Sequence, residues 1–211
     1  MKSAIIISGG SLNTAWLKEW LNTNKYNLII AVDKGLEALD LLNIEADYII
    51  RDFDSIDTNV LNKYNKNVIK LNPEKDFTDT HEGLKLAISL ECEKVDIVGA
   101  IGTRIDHVLA NINILKEPLE KNIKTRIIDE NNQIFLINRS VKIKKDDNYK
   151  YLSIIPLTTT VEGITLKGFK YLLNNYILNL GQSIGVSNEQ QKEEATIELK
   201  KGILIVIFSK D

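Results

Sequence analysis

The sequence predicts a doubly wound, mainly parallel α/β domain followed by an all-β sandwich. Two observations carry that reading. Up to about residue 130, short apolar runs alternate with segments of helical period, the pattern of a parallel sheet covered by helices. After about Asn132 the runs stay short and turn residues separate them, as in a small antiparallel sandwich.

The elements of the first part follow in order. Ala4–Ile7, Leu28–Val32, Tyr48–Ile50, Val68–Leu71, Val95–Val98 and Arg126–Ile128 are apolar and largely β-branched on both faces. Such runs suit strands buried from both sides. Between them, Leu12, Trp16 and Trp20 recur at a spacing of four, which predicts a helix packed on the sheet through its tryptophans. Leu84 and Ile88 mark a second helix, and Ile105, Val108, Leu109, Ile112 and Leu115 form the apolar stripe of a third. The second part offers strands at Ile134–Ile137, Tyr151–Pro156, Val161–Leu166, Tyr171–Leu173, Ser183–Val186, Ala195–Leu199 and Ile203–Phe208. Gly163, Gly168, Asn174-Asn175, Gly181 and Gly202 provide the turns. The expected domains are residues 1–130 and 131–211.

Composition narrows the function. The chain has 211 residues, 44% of them apolar, and a formal net charge of −2. That balance argues against a general electrostatic grip on nucleic acid or an anionic membrane. No apolar run approaches the roughly 20 residues of a spanning helix, and the first run is too short for a signal peptide. The single cysteine, Cys92, forms no intrachain disulfide, so a reducing cytoplasm is the expected compartment. Two histidines far apart in sequence make a histidine-rich zinc site unsuitable.

Two familiar phosphate motifs are missing: the G-x-x-x-x-G-K-[ST] loop, and a G-x-G-x-x-G after the first strand. Ser8-Gly9-Gly10 is either a plain tight turn or a place for a ligand to approach backbone amides. The aspartates say more. Tyr48-Ile49-Ile50 runs into Arg51-Asp52-Phe53-Asp54-Ser55. Ligands of open α/β sheets bind at the carboxyl ends of strands. In an extended segment Asp52 and Asp54 point the same way, an arrangement that suits Mg²⁺; a polar turn capping the next helix is the competing explanation. Lys75-Asp76-Phe77-Thr78-Asp79 sets a cation, a hydroxyl and two carboxylates beside a helix start. Asp79 with Glu82 also reads as a capping arrangement. Gly99-Ala100-Ile101-Gly102-Thr103-Arg104-Ile105-Asp106-His107 opens the third helix, where Arg104, His107 and Asn111 share a face. His81 reads as uninvolved.

Together these strings resemble the thiamin pyrophosphokinase family. Asp33-Lys34-Gly35 is similar to its early Asp-Gly-Gly, and Asp52-Phe53-Asp54-Ser55 to its Gly-Asp-Phe-Asp-Ser. Asp76-Phe77-Thr78-Asp79 matches its Asp-x-Thr-Asp. Gly102-Thr103-Arg104-Ile105-Asp106-His107 with Asn111 matches Gly-Gly-Arg-x-Asp-His followed by Asn. Gly163-Ile164-Thr165-Leu166-Lys167-Gly168 and Ser187-Asn188 extend the likeness into the β half. The ordered set covers almost the whole chain.

The resemblance implies a homodimer that transfers pyrophosphate from ATP to the hydroxyethyl group of thiamin, giving AMP and thiamin diphosphate. It assigns Asp52, Asp54 and Asp79 to magnesium and ATP, with Asp76 and Thr78 in support. Arg104 and Asp106 would complete the nucleotide contacts, joined by Asp33, Lys75, His107 and Asn111. Ser187 and Asn188 would lie in a thiamin pocket built at the subunit interface. An aspartate would accept the thiamin proton, without the sequence saying which. Arg51, Lys34 and Thr103 stand where the family pattern has glycine, and Leu172 where it has proline. Arg51 is expected to turn either to solvent or to the triphosphate; if its position needs positive φ it is strained. A metal-dependent phosphohydrolase, or a nucleotide- or thiamin-binding regulator without turnover, would draw on the same residues.

Overall fold

The computed structural model describes residues 1–52, 68–71 and 76–211, with the side chains of Asp52, Val68, Lys70 and Leu71 left out. Two compact units appear, Met1–Glu130 and Asn131–Asp211.

The first unit is a parallel sheet clothed by helices. Its elements are β1 (Ser3–Ile7), α1 (Thr14–Thr23), β2 (Leu28–Val32), α2 (Gly35–Leu41), β3 (Tyr48–Asp52), β4 (Val68–Leu71), α3 (Asp79–Ser89), β5 (Lys94–Val98), α4 (Ile105–Ile114), α5 (Lys116–Glu120) and β6 (Lys124–Ile128). Strand order is β4-β3-β2-β1-β5-β6, with every neighbour parallel. The chain works outward from β1 to β4, then returns to the other side of β1 with β5. That reversal opens a crevice beyond the carboxyl ends of β1 and β5, where open α/β sheets take their ligands.

Alternation along the strands feeds two cores. Ile5, Ile7, Ala31 and Ile49 pack against Leu17 and Leu21 of α1 and Leu36 and Leu39 of α2. On the opposite face, α3 backs its Gly83 onto Ile6, Val32 and Ile50. The expected tryptophan anchor is therefore only part of the packing. Trp16 and Trp20 stack on each other at 5.4 Å and are half-buried, while Leu17 and Leu21 beside them make the deep contact.

The stripe expected on the third helix needs a larger correction. Ile105 and Leu109 of α4 are 66% and 56% exposed, whereas Asn111 is buried. Asn111 turns inward because its Nδ2 donates to the Ala100 carbonyl at 2.8 Å. A buried amide with a backbone partner outweighs the apolar count on the other face.

The second unit is antiparallel throughout. It contains β7 (Asn132–Ile137), β8 (Val141–Lys144), β9 (Tyr151–Pro156), β10 (Thr160–Lys167), β11 (Tyr176–Asn179), β12 (Glu194–Glu198) and β13 (Leu204–Ser209). Three strands pair as β7-β13-β9 and four as β11-β10-β12-β8. One core joins both sets: Leu152, Ile154, Leu204 and Val206 meet Ile164, Leu166, Leu178 and Ile197.

Two expected strands do not form. Leu172 in Tyr171–Leu173, and Ile184 and Val186 in Ser183–Val186, are exposed, and neither segment joins a ladder. Gly185 instead contacts β9 through a single bond, from the Ile154 amide to its carbonyl at 2.9 Å. In their place stand β8 and β11. In β8 only Ile143 is buried while Lys142 and Lys144 face out, so its apolar count is low although its period is that of a strand.

Candidate functional site

The crevice is built from two turns in contact. After β1 the chain runs through Ser8-Gly9-Gly10; after β5 it runs through Gly99. The Ser8 amide donates to the Val98 carbonyl and the Gly10 amide to the Gly99 carbonyl, each at 2.8 Å. Only glycine allows this approach. A Cβ on Gly10 would lie 2.4 Å from the Gly99 oxygen, and Gly99 has φ +66° with its own Cβ site 2.3 Å from the Ser8 oxygen.

Other elements close on these turns. Thr80, in the first turn of α3, donates its hydroxyl to the buried Ser8 Oγ at 3.0 Å. The Asp33 amide, at the end of β2, donates to the Ile50 carbonyl of β3 at 3.0 Å. Asp33 itself holds φ +51°, a left-handed conformation that aspartate tolerates better than most residues. The result is a cleft of about 670 Å³ with Ser8–Ser11, Gly99, Ala100 and Gly102–Arg104 along its floor, Asp33, Lys34 and Arg51 on one wall, and Thr80, His107 and Asn111 completing the described lining.

The structure brings together Asp33, Arg104, His107 and Asn111 at this cleft. Thr78 and Asp79 stand beside Thr80 at the start of α3. Thr78, not Asp79, is the cap: its hydroxyl accepts from the His81 amide at 3.3 Å. Asp79 occupies the first turn, where the helix dipole favours a carboxylate. Asp76 is exposed just ahead of it. Asp54 and Lys75 lie outside the described residues, as does the side chain of Asp52, although its backbone ends β3. Sequence reasoning passed over Ser11 and Thr80 as site residues. Thr80 was discoverable from its place directly after the Asp-x-Thr-Asp string.

Arg104 and Asp106 form an exposed pair, with Nε donating to Oδ1 at 3.2 Å. Hydrogen bonds from the guanidinium hold the Asp106 carboxyl below its usual range. Asp106 is thus tied to Arg104 and is not among the cleft-lining residues. His81, read as uninvolved, lies 3.6 Å from the Glu117 carboxylate and sits edge-on to Phe77, away from the cleft.

In the second unit Ser187 is exposed with φ +57°, and its amide donates to Ser153 Oγ at 2.9 Å. Asn188 is buried, and its amide is spent on backbone. Its Oδ1 accepts from the Tyr171 and Glu189 amides at 3.0 and 2.9 Å, and its Nδ2 donates to the Tyr171 carbonyl at 2.7 Å. Asn188 therefore fixes the Tyr171 segment.

Among the described residues no three of His, Cys, Asp and Glu gather to hold a metal. Of the three carboxylates expected for magnesium, only Asp79 has a described side chain. Asp33 at the end of β2 and Asp79 in the first turn of α3 are described, beside the hydroxyls of Ser8 and Thr80, and oxygen donors of this kind suit a hard cation. Among the described residues, no helix is long and apolar enough to cross a membrane.

Comparison with known proteins gives a consistent result. Residues 20–127 match the family model of the thiamin pyrophosphokinase catalytic domain, and residues 139–204 that of the thiamin pyrophosphokinase vitamin B1 binding domain. Thiamine pyrophosphokinase of Bacillus subtilis is 36% identical over 223 aligned residues that cover the whole of both chains. The Bacillus subtilis crystal structure superposes with a TM-score of 0.89 at 34% identity, again over all of both chains. That of the Geobacillus thermodenitrificans enzyme gives 0.85 at 27% identity, covering 100% of this chain and 98% of the other. Yeast thiamin pyrophosphokinase, at 18% identity, shares the fold with a TM-score of 0.81, over 99% of this chain and 86% of its own.

Proposed function

The chain belongs to the thiamin pyrophosphokinase family, and we propose that it transfers the pyrophosphoryl group of ATP to thiamin from a nucleotide held in the cleft beyond β1 and β5. It is an ATP-dependent pyrophosphotransferase, and its products are AMP and thiamin diphosphate. The cleft carries this reading: a glycine floor, a helix start at Thr80 and cations on its walls form a phosphate site at the switch point of the sheet.

In the reaction the thiamin hydroxyl oxygen attacks the β-phosphorus of ATP. The bond from that phosphorus to the α,β-bridging oxygen breaks, and AMP leaves with the bridging electron pair. Such transfers depend on in-line positioning and on stabilised charge more than on covalent help from the protein. Arg104, held at the mouth by Asp106, offsets charge on the phosphates, with Lys75 in the same role. Asp33, His107 and Asn111 shape the nucleotide pocket. Asp52, Asp54 and Asp79 would hold Mg²⁺, with Asp76 and Thr78 in support. When bound, the ion neutralises phosphate oxygens and aligns them. An aspartate of this group accepts the thiamin proton.

The catalytic role falls to residues 1–130, and thiamin binding and dimerisation to residues 131–211. The second unit leaves Tyr171, Leu172, Ile177, Leu180, Ile184 and Val186 exposed, and this amount of exposed apolar side chain supports binding of an aromatic vitamin and of a second copy. Ser187 contacts thiamin there, and Asn188 holds the Tyr171 wall. The active site of the homodimer lies at the subunit interface. The compartment is the cytoplasm, which suits the buried thiol Cys92.

Quantifying products from ATP, thiamin and Mg²⁺ tests the function. Equal amounts of AMP and thiamin diphosphate are expected. Phosphate release without thiamin would indicate a hydrolase, and binding without products a regulator. Mixing Asp54→Asn and Asn188→Ala protomers tests the shared site, because one interface of the heterodimer keeps both intact halves. Some activity should return; a fully active monomer in light scattering at assay concentration would refute the interface.

A further inference from the structure

Among the described residues, the cleft is lined by three basic side chains, Lys34, Arg51 and Arg104, and one carboxylate, Asp33. The three differ in how their charge is met. Arg104 is matched by Asp106 at the exposed rim. Lys34 is exposed at the start of α2, where water solvates it. Arg51 is half-buried in the wall, and its Nε is shut off from solvent with no hydrogen-bond partner among the described residues.

That orphan donor is unusual. Buried polar groups are almost always paired, and an unpaired group on a charged side chain is among the costlier exceptions. Folding gives no reason for it. Arg51 lies in extended β3, paired with Lys70 of β4, and is not among the residues of positive φ. Lys34 has φ −65° and is equally unstrained. Neither position requires glycine, so long basic side chains are accommodated there by the backbone. A ligand that supplies the acceptor accounts for it. An anion with several oxygens, entering over the glycine floor, meets Arg51 on one wall and the Thr80 helix start on another.

We propose that Arg51 is a phosphate-binding residue of this cleft, donating from its guanidinium to the polyphosphate chain of a nucleoside triphosphate, with Lys34 adding longer-range attraction from the rim. The proposal rests on reading the cleft as the nucleotide site. It adds a contact from the β3 wall to those from Arg104 and the metal carboxylates. A planar guanidinium suits two phosphate oxygens at once, which a lysine ammonium does not.

The test uses the full-length protein, inorganic tripolyphosphate and an ATP analogue with a methylene α,β-bridge, each with Mg²⁺. Affinities are measured by calorimetry for the native chain, Arg51→Gln and Arg51→Lys, and melting temperatures with and without tripolyphosphate. Arg51→Gln should weaken both ligands tenfold or more, equivalent to ~1.4 kcal/mol. It should also lose most of the tripolyphosphate stabilisation, while its ligand-free melting temperature equals or exceeds that of the native chain. Arg51→Lys should fall between. A drop in the ligand-free melting temperature with unchanged affinity would make Arg51 a structural residue and overturn the proposal, as would native affinity in Arg51→Gln. If the native chain makes thiamin diphosphate and binds both ligands, such a result removes the Arg51 contact alone. If the native chain binds neither ligand, the nucleotide reading of the cleft fails and the proposal with it.

Discussion

Two charged regions of the same parallel sheet have opposite designs. In the interior, Asp96 of β5 is fully buried, yet all of its demands are met. Arg126 of β6 donates to both its oxygens at 2.7 and 3.0 Å, Lys94 lies 3.2 Å away, and the Tyr26 hydroxyl donates to Oδ2. Trp20 Nε1 in turn donates to the Tyr26 oxygen at 2.8 Å. At the cleft wall, the Arg51 Nε has no partner among the described residues. The first region is complete without a ligand and serves the fold. The second has one buried donor without a partner among the described residues, the donor that the proposed phosphate contact fills. The difference lies in saturation, since both regions are charged and partly shielded from water.

The contrast is sharpest at Asp96. Asp96→Ala should cost about 3–5 kcal/mol, because it removes the buried carboxylate that Arg126, Lys94 and Tyr26 share and leaves a gap in its place. Urea unfolding measures the loss, and turnover per folded molecule should be unchanged. A stable Asp96→Ala protein would mean that the cluster contributes little and would blur the distinction. Asp52→Asn and Asp54→Asn should do the reverse. Turnover at limiting Mg²⁺ should fall about a hundredfold or more, ~2.7 kcal/mol of barrier, with unchanged melting temperature. Near-native rates in both variants would remove these residues from the metal site.

Smaller effects follow from pH and from the edge of the cluster. Burial alone would raise the Asp96 pKa, but the hydrogen bonds and charge of Arg126, helped by Tyr26 and Lys94, hold it below its usual value. A carboxylate with a depressed folded-state pKa contributes stability above its unfolded value of about 3.9, and loses it as pH falls through the folded value. Unfolding free energy should therefore decline below about pH 4, and Asp96→Ala should lack that part of the decline. Burial, and then the charge of Asp96, push the Tyr26 hydroxyl up, so it stays protonated as a donor across the working range. Trp20→Phe removes one donor to Tyr26 and should cost only about 0.5–1.5 kcal/mol in the same urea experiment.

The sequence makes these regions legible to different degrees. The strands of the first unit can be read directly, because Ile5–Ile7 and Ala31–Val32 are apolar on both faces, and that requires helices on either side. The switch point follows from strand order, which the sequence does not state, but the glycines after β1 and β5 mark it. The aspartate strings stand out as motifs, and their order gives the family. What is lost is orientation. Counting apolar residues on α4 chose Ile105 and Leu109 for the inside, because hydrophobicity alone does not reveal that the Asn111 amide has a backbone partner waiting at Ala100. The lysines of β8 hid a strand whose single inward residue, Ile143, is enough to anchor it. Asn188 stands out in the Ser-Asn string, while its engagement with the Tyr171 backbone depends on contacts far apart in the chain. Arg51 was open in sequence between solvent and phosphate. The burial of its Nε in the cleft wall depends on tertiary contacts that no sequence pattern states.

The central claim is that this chain moves two phosphates of ATP together onto thiamin. It is tested most directly by following ATP labelled in its γ-phosphate through the reaction with thiamin and Mg²⁺. The account predicts that the label appears in the terminal phosphate of thiamin diphosphate, in step with unlabelled AMP and with none as inorganic phosphate. Label released as phosphate, or carried onto thiamin monophosphate with ADP as the other product, would contradict it.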